Sequence, residues 1–583
     1  MVFLSGDRLG ARPLARFLRV GPAPSWADLI AFLLLAATAV LVLRGAGEMS
    51  EPLSRLHTTP VTLDPARLPE YALLTTLRMF AALGASLLFT FTVATLAAKS
   101  RKAELVIVPA LDILQSVPVL GFLTFTVTFF MGLFPGRELG VECAAIFAIF
   151  TSQAWNMAFS FYQSLRTIPT DLDEVSQQFG FSPWRRFVRL ELPFATPGLV
   201  WNVMMSMSGG WFFVVASEAI TVGKTTIALP GIGSWLSLAI DRQDMKAVSI
   251  GVGAMAVVIL LYDQLVFRPI VAWADKFRFE QTASQDRPGS WVYDLVRRTR
   301  WLRLAAAPLN WPARAMAAVD WPTVRVEPVR LGPKAARALD GLWLAVIAVA
   351  VAAAVWWIWT FVSRTLHWND VLVVFGLGLA TLARVVVLIA LTSLIWAPIG
   401  VWIGLRPAWA ERLQPIAQFL AAFPANVLFP FVVVAIVALH ADPNIWLSPL
   451  MVLGTQWYIL FNVIAGASAI PSDMKEAAGI FGIRGWQWWR QVALPAIFPY
   501  YVTGALTASG GSWNASIVAE AVTWGDKHLE AAGLGAFIAK ATADGDGARV
   551  ALGVAVMSIF VIAFNRMLWR PMYRFAERRL RLA

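Results

Sequence analysis

The chain has 583 residues, of which 58% are hydrophobic and 14% charged, against about 25% charged in an ordinary soluble domain; this is the composition of a polytopic membrane protein. A single cysteine, Cys143, excludes an intrachain disulfide, and four scattered histidines (His57, His367, His440 and His528) have no metal-ligand spacing. The formal net charge of +12 reads first as an orientation signal and not as a nucleic-acid footprint, because basic residues collect on the cytoplasmic side of membrane spans.

Residues 1–25 form a basic arm with Arg8, Arg12, Arg16 and Arg19. A helix needs roughly 20 apolar residues to cross the bilayer core, and the sequence predicts twelve such spans in two sets of six. The first set, in a domain at 26–275, is Trp26–Val42, Leu73–Ala98, Leu105–Phe134, Ala144–Leu165, Pro197–Ile220 and Val248–Ile270. The second, in a domain at 341–583, is Leu342–Val362, Leu379–Gly404, Leu413–Leu439, Ile445–Ala467, Pro499–Val522 and Leu552–Trp569. Pro118 and Pro424 are expected to bend the third helix of each set. No small-residue cleavage site follows the first run, which is read as a retained helix.

The linker at 276–340 holds 12 basic against 6 acidic residues, and the C-terminal tail carries Arg566, Arg570, Arg574, Arg578, Arg579 and Arg581. Arm, linker and tail are therefore expected in the cytoplasm. Trp291, Trp301, Trp311 and Trp321 stand among the linker arginines, which suits either a segment lying on the membrane interface or a plain tether between the halves.

The sequence repeats itself. Glu476 and Glu174, Pro495 and Pro193, Trp513 and Trp211, Glu520 and Glu218, Gly533 and Gly231, Gly553 and Gly251, and Arg570 and Arg268 are all 302 residues apart; upstream, Pro424 and Pro118, and Arg384 and Arg78, are 306 apart. Such a register implies duplicated, parallel halves related by a pseudo-twofold axis along the membrane normal.

Within the repeat, EAAGIFGIRGWQWWRQVALP (Glu476 to Pro495) and EVSQQFGFSPWRRFVRLELP (Glu174 to Pro193) are polar segments set between apolar runs. Asp473 and Asp171 stand where an N-cap would serve a helix carrying Glu476 or Glu174 at its third position. Gly482 and Gly180 suit a left-handed C-cap. Ser182 and Pro183 suit the start of a second short helix, which Leu192-Pro193 and Leu494-Pro495 are expected to stop before the next span begins. Each copy is thus predicted to be a helix–bend–helix on the cytoplasmic surface.

Glu476, Ala477 and Ala478, then Gly482, Val492, Leu494 and Pro495 resemble the EAA loop of ABC-importer permeases. Glu174, Gly180, Leu190, Leu192 and Pro193 fit it too, with Val175 and Ser176 replacing the alanines. GGSWNASIVAEAV with GLGAFI, echoed by GGWFFVVASEAI with GIGSWL, is similar to permeases of the nitrate, sulfonate, taurine and bicarbonate group, here as two copies fused in one chain. The resemblance implies an all-α membrane protein of two tandem six-helix domains of the type I importer kind, located in a bacterial inner membrane. It implies coupling of these loops to two ABC ATPase subunits that would hold ATP and magnesium, and delivery of a small solute by an extracytoplasmic binding protein.

Gly223-Lys224-Thr225-Thr226 looks like the end of a P-loop, but Glu218 stands where its first glycine belongs, so no ATP site is expected in this chain. Glu218 and Glu520 end equivalent spans. They either line the translocation path or its outer gate, bonded to Arg78 and Arg384, or snorkel to the interface. Gly231, Gly233, Gly533 and Gly535 read as tight-turn glycines in a short re-entrant element, which either shapes the path or serves structure alone. Two alternatives stay open: a secondary transporter with parallel repeats, which should need buried ionisable groups where these helices are nearly free of them, and a polytopic membrane enzyme, which should cluster His, Asp or Glu at one surface.

Overall fold

The computed structural model describes residues 40, 47, 49, 60–116, 123–222, 225–277, 290–298, 333–364 and 366–579. The N-terminal arm, nearly all of the first expected span, Pro118, Gly223-Lys224, Trp301, Trp311, Trp321 and Arg581 lie outside the described residues.

Among the described residues seven helices are long and apolar enough to cross a membrane: Pro65–Lys99, Pro183–Glu218, Met245–Phe277, Gly341–Val362, Trp368–Gly404, Gly485–Ala519 and Gly547–Ala576. Pro443–Leu453 with Gln456–Ser468, bent by 45°, makes an eighth. Among the described residues, two of the expected spans depart from a single apolar helix for local causes. The expected span Leu105–Phe134 is helical at Arg101–Ser116 and Leu123–Leu133, with 117–122 outside the described residues. Pro424 breaks its helix and does not merely bend it. Phe423 before it is extended at ψ 126°, as pre-proline sterics favour, so one helix ends at Ala422 and Ala425–Ala438 begins anew. Helix Glu138–Arg166 is long enough, but Glu138, Glu142 and Gln153 are buried along it and lower its apolarity.

The halves repeat in packing as well as in sequence. Glu138–Arg166 lies along Leu192–Glu218 and Leu68–Phe89, and Gln456–Ser468 lies along Leu494–Ala519 and Trp368–Gly404. Small residues permit the approach: a Cβ on Gly504 would stand 2.6 Å from the Tyr458 carbonyl oxygen. Equivalent aspartates cap equivalent helices, Asp244 accepting from the Lys246 and Ala247 amides and Asp546 from those of Ala548 and Arg549. Trp211, Trp235 and Trp513 are among the largest fully buried side chains of a core continuous through both halves.

After each fifth-position span the chain turns into a short antiparallel hairpin that the helical reading did not anticipate. β1 (Ala219–Val222) pairs with β2 (Thr225–Ala228), Ala219 opposite Ala228; β3 (Ala521–Trp524) pairs with β4 (Lys527–Glu530), Ala521 opposite Glu530. The halves meet here. Gln243 is left-handed at φ 55°, where the repeat has Gly545 at φ 71°. Its side chain donates to the Trp524 carbonyl at 3.1 Å, and the Gly525 amide donates to the Ile240 carbonyl at 3.2 Å. A strained backbone angle is thus held by a bond across the pseudo-twofold.

Candidate functional site

At the hairpin end each half closes around a buried arginine–glutamate pair. Thr75 and Arg78, three residues apart, share one face of helix Pro65–Lys99. Arg78 donates from Nε and Nη2 to Glu142 (2.7 and 2.6 Å), and from Nη1 to Glu218 and to the Pro230 carbonyl (2.8 Å each). Glu218 also accepts from Thr75 Oγ1 and the Gly233 amide at 2.7 Å each, while Thr75 accepts from the Ile232 amide at 3.0 Å. Arg78 and Glu218 are 0% exposed and Glu142 1%, and four of the five N–H donors of the planar guanidinium fork meet the carboxylates and a carbonyl.

The second half repeats the plan with weaker parts. Glu520 accepts from Thr381 (2.9 Å), Arg384 (2.9 Å) and the Gly535 amide (2.7 Å), and Arg384 donates to the Ala532 carbonyl (3.0 Å). Asn444 stands 302 residues after Glu142. It receives one long bond from Arg384 (3.4 Å) and accepts from the Ala532 amide (2.8 Å). Arg384 keeps 14% of its side chain exposed. Neither glutamate snorkels, and the expectation that the helix interiors are nearly free of ionisable groups fails at Arg78, Glu142 and Glu218.

The glycines beside these carboxylates are there for space and not for turn angles, which corrects the tight-turn reading. Gly231 and Gly533 are extended, at φ 179° and −165°, but a Cβ on either would overlap the carboxylate of Glu218 or Glu520, and one on Gly233 would stand 2.6 Å from the Val214 carbonyl. Gly231→Ala should push Glu218 off its Gly233 bond and cost about 1–3 kcal/mol as an overpacking change, read as a lowered melting temperature in detergent. Gly253→Ala, with nothing within 4 Å of its Cβ, is the neutral control; equal melting temperatures for the two would refute this account.

At the other end of the same helices lie the two polar loops. Helices Thr170–Gln178 and Ser472–Ile480 end at Gly180 (φ 62°) and Gly482 (φ 63°). The amides of Phe181 and Gly180 donate to the carbonyls of Ser176 and Gln177, and those of Ile483 and Gly482 to Ala478 and Gly479; these are paired Schellman closures. Two expectations are corrected. The residues before the first turns are Pro169 and Pro471, so Asp171 and Asp173, and Asp473, sit inside the first turn and are not N-caps. Leu192-Pro193 and Leu494-Pro495 do not stop a helix either. A π-turn at Phe187–Glu191 or Trp489–Ala493 carries the helix past each proline, with Leu192 and Leu494 donating to Phe187 and Trp489. The wider turn absorbs the missing N–H, so Pro183–Glu218 runs unbroken from loop to hairpin. Its 36 residues span about 54 Å at 1.5 Å per residue.

Glu174, Gly180, Glu476 and Gly482 are exposed, Ala477 is half-buried and Ala478 buried; Leu192, Pro193 and Pro495 are half-buried and Leu494 is exposed. Ile480, Phe481 and Trp486 are 82%, 79% and 74% exposed. The sequence reading did not single them out as a surface, because an apolar residue carries no local signal that tells an exposed position from a packed one. Thr75 and Thr381 were legible, since they keep the 306-residue offset of the arginines; Glu142 was signalled by being an acid inside an apolar run.

A cavity of about 160 Å³ lies between the halves, and among the described residues no charged side chain lines it. Asn156 and Phe212 of the first half face Tyr458 and Asn514 of the second, and these are repeat equivalents at 302 residues whose amide and aromatic partners have been exchanged.

Each of the two tandem helical halves thus carries an ionic network at one end of its long helix and an exposed glycine-ended loop at the other. The chain belongs to the family of binding-protein-dependent transport system inner membrane components, whose pattern matches residues 88–268 and again 396–581. It is similar to the nitrate import permease protein NrtB of Leptolyngbya laminosa, 27% identical over 188 residues (32% of this chain, 64% of that protein). The bicarbonate transport system permease protein CmpB of Synechococcus elongatus is 30% identical over 147 residues (25% and 51%). The glycine betaine/proline betaine transport system permease protein ProW of Escherichia coli is 28% identical over 168 residues (29% and 43%). The match to the first two spans 64% and 51% of their lengths.

Proposed function

We propose that this chain is the two-domain permease of an ATP-driven importer, and that its two glycine-ended loops grip two ABC ATPase subunits. One observation carries the reading: the same exposed helix–glycine–helix occurs twice, each copy continuous with a long helix that runs past the central cavity to a buried network. Force applied at the loop is therefore delivered along a rigid rod. ATP and magnesium belong to the ATPases, and an extracytoplasmic binding protein delivers the solute to the hairpin end. The Arg excess of arm, linker and tail supports cytoplasmic termini, which puts the loops inside and the networks outside. In this scheme Glu218, Glu520, Arg78 and Arg384 hold the outer gate shut and the cavity opens alternately to each side.

The names of the relatives supply nitrate, bicarbonate and glycine betaine as candidate solutes. The cavity offers them uncharged amides, hydroxyls and rings, so the charge of an anion would have to be met by hydrogen bonds from side chains such as Asn156 and Asn514 and not by a fixed cation. A secondary transporter is the second reading, and the buried Arg78–Glu142–Glu218 cluster is the observation in its favour. Against it, every one of those groups is bonded within the protein and none lines the cavity.

The test is affinity purification of the tagged chain from its native host, followed by uptake into proteoliposomes. An ATPase should co-purify, nitrate, bicarbonate or betaine uptake should require internal ATP and the binding protein, and a cysteine at position 290 should resist a non-permeant label added outside spheroplasts. Uptake driven by an ion gradient with the chain alone would overturn the proposal in favour of the secondary carrier.

A further inference from the structure

The two loops share one backbone, yet the side chains that hang them from the membrane helices differ in kind. In the first half an ion-pair chain does it. Lys99, the last residue of helix Pro65–Lys99, lies 2.9 Å from Glu191; Glu191 lies 3.1 Å from Arg186 Nε; and Arg186 reaches Asp173 on the loop helix at 2.7 Å. Lys99 also sits 5.5 Å over the ring of Phe187. Glu191, in the middle, is buried at 5% exposure, whereas the Lys99, Arg186 and Asp173 side chains are each a third or more open to solvent or nearly so (40%, 33% and 32%). Several of these contacts are off the hydrogen-bond axis, Arg186 Nε, Glu191 Oε2 and Asp173 Oδ1 making ion pairs without an aligned hydrogen bond.

In the second half none of the four residues survives. The positions 302 residues on from Asp173, Arg186 and Glu191 hold Lys475, Trp488 and Ala493, and the position 306 on from Lys99 holds Leu405. The loop is seated instead on an apolar cluster of Ile470, Ala478, Val492 and Ala496, with Leu405 and Trp488 packed against it. Two members of the ion chain have become members of the apolar cluster.

The physical difference is one of range and screening. Attraction between partly exposed charges tolerates displacement but weakens as salt shortens the Debye length. Apolar contact is lost within a small separation and is not screened. We propose that Lys99, Glu191, Arg186 and Asp173 are positioning residues that make the first loop an electrostatic, salt-releasable joint, while the second loop is a fixed apolar one. Its meaning for transport rests on the loops being ATPase contacts: the fixed joint would hold the complex together and the ionic joint would yield during the cycle.

Hydrogen–deuterium exchange on the full chain in nanodiscs, with no ATPase present, tests the joint separately from that reading. Raising KCl from about 0.01 to about 1 M shortens the Debye length from about 30 to about 3 Å. Exchange in residues 170–181 should then rise roughly three- to tenfold, while residues 472–483 change by less than about twofold, as expected of unscreened apolar contact. Arg186→Met should make the first loop exchange fast at both salt concentrations, and Arg186→Lys should restore salt-dependent protection, which a merely space-filling role would not require. Equal salt responses in the two loops, or a first loop still protected in Arg186→Met, would overturn the proposal even if an ATPase co-purifies. A chain that captures no ATPase but keeps the unequal salt response would instead sink the coupling reading and leave the joint standing.

Discussion

Arg78→Met should be among the most damaging single substitutions in the chain. It leaves Glu142 and Glu218 buried, adjacent and without a cation, and removing one partner of a buried ion pair typically costs about 3–5 kcal/mol. Arg384→Met should cost less, roughly 1.5–3 kcal/mol as loss of a charged hydrogen-bond donor. Arg384 serves one carboxylate, is partly exposed, and leaves Glu520 still bonded to Thr381 and the Gly535 amide. Glu142→Gln makes the first network resemble the second, where Asn444 stands, and should be tolerated best of the three. Yield after membrane extraction and the melting temperature in detergent measure all of them. Arg78→Lys serves beside Arg78→Met in case the latter accumulates too little protein to melt: it keeps the charge but loses the two-pronged grip on Glu142 and should fall between wild type and Arg78→Met. Equal losses from Arg78→Met and Arg384→Met would show that the extra carboxylate in the first half does not matter.

These effects also explain what could be read from the sequence. The duplication, the two loops and the left-handed glycines were legible, because each is fixed by local chemistry at a constant spacing. Glycine at φ 62° or 63° is needed whatever surrounds it. Gly231 and Gly533 were misread because a glycine required by a neighbouring carboxylate has the same one-letter signal as one required by a turn; only the path of Glu218 and Glu520 back against the chain separates the two cases. The continuity of the long helices past Pro193 and Pro495 was hidden for a similar reason. Proline marks a missing donor, and whether that ends the helix or is absorbed by a π-turn depends on what holds the ends in line. The loss of Lys99, Arg186 and Glu191 in the second half could have been tabulated from the repeat alone, but not the fact that they touch.

Glu476→Arg and Gly482→Val should each weaken capture of the ATPase by well over tenfold while the protein still inserts. Reversing a charge that meets a partner in a buried interface costs about 2–5 kcal/mol. For Gly482 the cause is now specific: a Cβ there meets nothing within 4 Å, so valine brings no clash within the chain, only left-handed strain of roughly 1–2 kcal/mol. That strain would be relieved by opening the Schellman turn that presents Ile480 and Phe481. Those two residues and Trp486 are exposed apolar side chains of one loop, and truncating a central aromatic of an interface costs about 2 kcal/mol or more, so Phe481→Ala should match Gly482→Val without altering the turn. The first loop should respond less. Gln178 stands in place of Ile480, Trp184 is half-buried against Phe187 where Trp486 projects, and Ser176 is turned inward onto the Asp173 carbonyl. Glu174→Arg, Gly180→Val and Phe179→Ala therefore remove fewer contacts than their counterparts. Quantitative co-purification of the ATPase with each variant decides the matter. Full retention by Glu476→Arg, Gly482→Val and Phe481→Ala together would remove the second loop from the interface, and a greater loss from the first-loop set would reverse the order of the two grips.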